Sequence, residues 1–117
     1  GLSYTTFAYD NLRANLRGQS VEVTVKLTNT GNRAGEEVVQ LYIRDRAASV
    51  VRPTKELKGF EKLMLQPGES RTVAFRLTPQ ELGFYMPDGQ FVTEPGTFDI
   101  MVGPNSSDLL QTTIEWK

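Results

Sequence analysis

A chain with no histidine and no cysteine has a short list of chemistries open to it. Without thiols there is no disulfide, thiolate nucleophile or zinc–thiolate site. Without imidazole there is no Ser-His-Asp triad and no His-ligated metal. Carboxylates, amines, hydroxyls and aromatic rings remain. Two carboxylates held about 5–10 Å apart can cleave an acetal by acid–base chemistry. The candidates are Glu36, Glu37, Asp45, Glu56, Glu61, Asp88 and Glu94. Glu36 and Glu37 are adjacent, so on an extended strand they point to opposite faces and cannot form a facing pair. The other acids show no spacing that would gather two of them, so no catalytic residue is assigned and they read as solvated surface charge. Calcium would need six or more oxygens. Asp88-Gly89 and Asn105-Ser106-Ser107-Asp108 offer a few each, in turns of the kind that form without metal. No metal site and no cofactor is expected.

Binding chemistry is the next possibility. Arg44, Arg46, Arg52, Lys55, Lys58 and Lys62 outnumber Asp45, Glu56 and Glu61 in one stretch, a local excess of three positive charges. Within it, Ala47-Ala48-Ser49-Val50-Val51 is more apolar than a free-standing loop. Arg46, Val50, Val51, Arg52 and Lys55 are therefore candidate docking residues for a neighbouring domain, the valines burying and the cations pairing with carboxylates. Rings raise the question of sugar stacking. Phe7, Phe75, Phe98 and Trp116 fall on apolar phases and read as core, whereas Tyr42 on a wet phase and Tyr85 at a loop are candidate carbohydrate contacts. Asn105-Ser106-Ser107 matches the acceptor pattern for N-glycosylation. Lys plus Arg is 13 and Asp plus Glu is 14, a net charge of −1, which argues against a nucleic-acid partner. No apolar run is long enough to span a membrane as a helix.

The elements that must position these residues are strands. Val21, Val23, Val25 and Leu27 alternate with Glu22, Thr24, Lys26 and Thr28, which predicts a strand with one buried and one wet face. Val39, Leu41 and Ile43 repeat the pattern, as do Val73, Phe75 and Leu77, then Phe98, Ile100 and Val102. Leu110, Thr112, Ile114 and Trp116 close the chain. Tyr4–Leu16 is extended too, but its phase slips between Tyr9 and Leu12, so a bulge or a change of sheet is expected near Asp10-Asn11. Asn29-Thr30-Gly31, Pro67-Gly68 and Pro95-Gly96 punctuate the runs, the Pro-Gly pairs with type II turn chemistry. Pro87-Asp88-Gly89 reads as a hairpin tip between Phe84-Tyr85 and Phe91-Val92. Thr78-Pro79-Gln80-Glu81 predicts one helical turn before Gly83.

Seven or more short strands joined by such turns make an antiparallel β-sandwich, with a closed barrel as the other solution. Buried positions are expected at Val23, Val25, Leu41, Ile43, Phe75, Leu77, Phe98 and Ile100. A cysteine-free sandwich is not a disulfide-pinned antibody domain, and a fibronectin type III-like (immunoglobulin-like) arrangement fits best. The chain opens Gly1-Leu2-Ser3-Tyr4 with no initiator Met, so it is expected to be a single domain, residues 1–117, excised from something longer.

The ordered motifs resemble one family. Gly1-Leu2-Ser3-Tyr4-Thr5-Thr6-Phe7, then Leu27-Thr28-Asn29-Thr30-Gly31 and Val38-Val39-Gln40-Leu41-Tyr42 are similar to the C-terminal fibronectin type III-like domain of family 3 glycoside hydrolases. The most specific stretch is Arg52-Pro53-Thr54-Lys55-Glu56-Leu57-Lys58-Gly59-Phe60-Glu61-Lys62 followed by Leu65-Gln66-Pro67-Gly68-Glu69. Glu94-Pro95-Gly96-Thr97-Phe98 and Met101-Val102-Gly103 resemble the closing hairpin. In that family the catalytic acids lie in upstream domains, so none is carried onto this chain. The resemblance implies a secreted or periplasmic parent, such as a β-glucosidase or β-xylosidase, and a non-catalytic module that docks on its catalytic domains. The alternative it leaves open is a module that binds cell-wall polysaccharide or lignin.

Overall fold

The computed structural model describes residues 5–18, 20–46, 55–78, 84–85, 91–92 and 96–116. Among these described residues nine strands follow one another: β1 (Phe7–Arg17), β2 (Ser20–Asn29), β3 (Gly35–Asp45), β4 (Glu56–Leu65), β5 (Ser70–Leu77), β6 (Phe84–Tyr85), β7 (Phe91–Val92), β8 (Gly96–Gly103) and β9 (Leu110–Trp116). Seven of them form two sheets, β1-β2-β5 and β4-β3-β8-β9, and β6-β7 is a separate short ribbon. All pairings are antiparallel. No helix occurs among the described residues, and the expected sandwich is what the chain builds. It is not a closed barrel. β1 runs beside β9 at one seam and β4 beside β5 at the other, without the sheets joining.

The alternating runs supply the core. Val21, Val23, Val25 and Leu27 are fully buried on β2, facing Val39, Leu41 and Ile43 of β3 and Phe98, Ile100 and Val102 of β8. Leu63, Leu65, Val73, Leu77 and Ile114 complete it. Burial of each large side chain is worth about 1.5–3 kcal/mol, so these rows decide the fold. Phe75 departs from expectation. It is only half-buried, because β5 is an edge strand and the ring lies at the seam against Gly59 of β4. A Cβ at Gly59 would stand 3.3 Å from the Phe75 ring, a tight contact that the ring would have to yield to. Leu110 also keeps the inward phase but is 36% exposed at the rim. Phe7 packs half-buried against the core, and the Trp116 side chain lies outside the described residues.

Turn chemistry sets the registers. The phase slip in β1 is a bulge between Asp10 and Arg13, where Asn11 takes a φ of 55°. Asparagine is among the few residues that accept that left-handed geometry. At Pro67-Gly68 the amide of Glu69 donates to the Gln66 carbonyl at 2.9 Å, and Gly68 has φ of 78°, the type II geometry. The β6-β7 ribbon pairs Phe84 with Val92 and Tyr85 with Phe91. Its Pro87-Asp88-Gly89 tip, and the Pro79–Gly83 stretch expected to form one helical turn, lie outside the described residues.

Asn29 ties the two sheets together at the end of β2. Its side chain is fully buried and makes four hydrogen bonds. Nδ2 donates to the carbonyls of Arg33 (2.8 Å) and Leu65 (3.0 Å). Oδ1 accepts from Thr5 Oγ1 (2.8 Å) and the Gly31 amide (3.0 Å). A Cβ at Gly31 would overlap Thr5 Oγ1, so Gly31 lets the chain before β1 pass over this turn. The motif Asn29-Thr30-Gly31 is thus a structural knot. Both of its polar side chains are engaged, Asn29 in these four bonds and Thr30 Oγ1 with Thr6 Oγ1 at 2.7 Å.

Candidate functional site

The outer face of the four-stranded sheet carries the distinctive polar chemistry. On β8 the outward-phase residue Asp99 is fully buried, an unusual place for a carboxylate. β8 lies between β3 and β9, and long side chains from both neighbours and from the end of β3 close over it. Arg44 Nε and Arg46 Nε donate to Asp99 Oδ2 at 2.7 and 2.6 Å, and Gln111 Nε2 donates to Oδ1 at 3.3 Å. Burial alone would push the carboxyl up. The two arginine bonds and charges outweigh it and hold Asp99 below the usual carboxylate range. The Arg46 amide, bonded to the Thr97 carbonyl at 2.9 Å, extends the β3–β8 ladder by one residue.

Tyr42 stands next along β3, in register with Met101 of β8, which is itself buried on the outward phase. The Tyr42 hydroxyl donates to Gln40 Oε1 at 2.6 Å, and Gln40 Nε2 donates to the Pro104 carbonyl at 2.9 Å. Lys55 Nζ lies 6.0 Å from the Tyr42 ring centroid and donates to the Ser106 carbonyl. These residues fasten the 104–109 loop to the sheet. That loop is closed internally by Asn105 Oδ1, which accepts from the amides of Ser107 and Asp108, both at 2.9 Å. Asn105-Ser106-Ser107-Asp108 is therefore an Asx turn held by its own backbone. Among the described residues no cluster of three or more acidic, His or Cys side chains could hold a metal ion.

Glu36 and Glu37 point to opposite faces as expected. Glu36 pairs with Lys62 on the outer face (3.0 Å), while Glu37 accepts from the Tyr9 hydroxyl (3.0 Å). Tyr9 and Glu37 line a cleft of about 230 Å³ at the β1–β9 seam, with Phe7, Val102, Pro104, Asp108, Leu109 and Leu110. Burial, then the charge and hydrogen bond of Glu37 and the charge of Asp108, push the Tyr9 phenol far above its ordinary value. It stays protonated and serves as a donor to Glu37.

Of the candidate docking residues, Arg46 and Lys55 lie on this side of the molecule, Arg46 at Asp99 and Lys55 beside Tyr42. Val50, Val51 and Arg52 lie outside the described residues, as does the side chain of Tyr85, whose backbone pairs with Phe91 in the β6-β7 ribbon. What the sequence reading missed is an exposed apolar strip on β3 and β4: Val38, Leu57, Phe60 and Met64. Its signal was present in part. Leu63 and Leu65 face the core, so Phe60 and Met64, on the opposite parity, must face outward. Leu57 shares the parity of Leu63 and would be read as inward. A bulge between the Leu41–Gly59 and Tyr42–Leu57 pairs turns it to the outside.

In class, the molecule is an antiparallel β-sandwich whose polar side chains hold strands and loops to one another. The chain belongs to the fibronectin type III-like domain family, whose sequence profile matches residues 37–106. A β-xylosidase from Formosa agariphila is 49% identical over 118 residues, covering 96% of this chain and 16% of that enzyme. The periplasmic β-glucosidase of Salmonella typhimurium is 40% identical over 119 residues, 98% of this chain and 16% of its own length. Among solved structures, a β-glucosidase from Erythrobacter marinus superposes with a TM-score of 0.90 at 47% identity, over 98% of this chain and 16% of that one. The chain therefore spans about a sixth of the length of the relatives it matches. The resemblance read from the ordered motifs is borne out.

Proposed function

We propose that this chain is a non-catalytic accessory module of a family 3 glycoside hydrolase, a β-glucosidase or β-xylosidase, which docks on the catalytic domains and stabilises them. Residues 1–117 act as one domain of that longer chain, exported to the periplasm or the medium. The observation that carries the reading is coverage. Nearly the whole chain aligns with a sixth of each hydrolase, and the aligned part is an antiparallel β-sandwich. Arg46 and Lys55, with Val50, Val51 and Arg52 of the adjoining loop, are the proposed edge of the docking region. Lys55 Nζ stands over the Tyr42 ring, 6.0 Å from its centroid, and so competes with a sugar for that face.

Two assays on the isolated chain and one on the full-length enzyme test this. The chain alone should turn over no aryl β-glucoside or β-xyloside above buffer, and should stay in the supernatant over insoluble cellulose, xylan and lignin. Deleting residues 1–117 should lower the unfolding temperature of the catalytic domains. Turnover lost on changing one carboxylate to its amide would overturn the non-catalytic reading. Adsorption to polymer with no effect of the deletion would replace docking by polymer binding.

A further inference from the structure

Six large apolar side chains among the described residues are exposed, and four of them share one face. Phe60 is 68% exposed, Leu57 51%, Met64 48% and Val38 37%. In register, Leu57 stands opposite Tyr42, Phe60 opposite Gln40, Lys62 opposite Val38 and Met64 opposite Glu36. Val38 is therefore a diagonal neighbour of both Phe60 and Met64, close enough for side chains to touch across strands. The four line the outer edge of the larger sheet, with the Lys62–Glu36 pair between Phe60 and Met64 and the Lys58 bulge between Leu57 and Phe60. Single exposed hydrophobes are ordinary, whereas a contiguous strip rimmed by charge marks a contact surface.

We propose that this strip, Val38, Leu57, Phe60 and Met64, is the surface by which the module packs against the rest of its own parent chain, with Arg44 and Arg46 receiving a carboxylate from that partner. The inference rests on the accessory-module reading and adds the face that docks. Both arginines are held at Nε by Asp99, which fixes the two guanidiniums at one end of the strip. The occupant is identified by tethering and by chemistry. Most of the length of each matched hydrolase lies beyond the aligned segment. A surface on the same chain meets the strip at an effective concentration of order millimolar, so a small patch suffices. A second free copy would need roughly 1,000 Å² of good contact without that help. Strand-to-strand pairing of copies is opposed by Glu56, Lys58, Glu61 and Lys62 on the exposed β4 edge. A sugar polymer would call for flat rings in a row; among the described residues this face has two, Phe60 and its diagonal neighbour Tyr42, and Lys55 stands over the Tyr42 ring.

The test is thiol labelling of the full-length chain carrying single substitutions, with the reacted site read by peptide mass. Residues 1–117 contain no cysteine, so each labelled peptide in this domain is unambiguous. Phe60→Cys and Met64→Cys probe the strip, and Leu16→Cys, exposed on β1 of the opposite sheet, is the reference. Phe60→Cys and Met64→Cys should react at least about tenfold more slowly than Leu16→Cys in the folded chain and equally fast in denaturant. Met64→Cys carries the reading if Phe60→Cys does not fold. Equal rates at all three positions would overturn the strip as the docking face, while the deletion of residues 1–117 separately reports whether the module docks at all. Slow labelling at Leu16→Cys with fast labelling at the strip would leave the module docked but by another face, overturning only this inference. Protection that disappears on dilution would assign the strip to a second copy and overturn it as well.

Discussion

Replacing Asn29 by alanine removes four side-chain hydrogen bonds: one to the end of β4, one to the chain before β1, and two that close the β2–β3 loop. The bond to the Leu65 carbonyl is fully buried, and losing its donor costs about 1–3 kcal/mol because water cannot take the donor's place. The other three are part-buried, at a net worth of about 0.5–1 kcal/mol each. Their coupling through one side chain makes the sum less than additive. Asn29→Ala is expected to lower stability by about 3 kcal/mol, a fall of about 2 M in the urea midpoint at an ordinary slope for a domain of this size. Asn29→Asp distinguishes hydrogen bonding from space filling. It keeps the shape and both acceptor roles, but turns the donor toward Arg33 and Leu65 into an oxygen facing two carbonyl oxygens, and buries a charge. It should cost at least as much as alanine at neutral pH. Urea unfolding followed by circular dichroism measures both. An Asn29→Asp protein within about 0.5 kcal/mol of the parent would refute the argument, because the donor role would then carry no weight.

Asp99→Asn should cost about 2 kcal/mol at neutral pH, because two charge-assisted bonds weaken together. The folded carboxyl lies below its unfolded value, so its contribution is present at neutral pH and is lost as pH falls below about 4. The gap between the Asn variant and the parent should therefore narrow in an acid titration of stability. Tyr9 has the opposite linkage. Its folded value is raised, so the parent should lose stability as pH rises above about 10, and Tyr9→Phe should flatten that alkaline limb in thermal melts. Gly31→Ala should cost about 1–3 kcal/mol by driving a methyl into Thr5 Oγ1. Combining it with Thr5→Ala should cost less than the sum of the two single changes, measured as a double-mutant cycle.

Much of the fold was legible because alternation is a local property. Val21, Val23, Val25 and Leu27 assign β2 to the core by parity alone, and the same rule places Val39, Leu41, Phe98 and Ile100. The slip at Asp10-Asn11 and the Pro67-Gly68 turn were readable for the same reason, since each depends on a few adjacent residues. The absence of histidine and cysteine excluded whole classes of catalysis before any contact was known. Parity, however, says which face a side chain takes and not how far that face is covered. Coverage depends on strands distant in sequence. Phe75 keeps the inward phase yet is half-exposed because β5 is an edge, and Asp99 keeps the outward phase yet is buried because Arg44, Arg46 and Gln111 converge on it from neighbouring strands. Leu57 is turned outward by a bulge that exists only in the pairing of β4 with β3. The residues of this chain chose its strands and their inner faces. Which outer faces stay open to a partner was decided by the order in which those strands lie side by side.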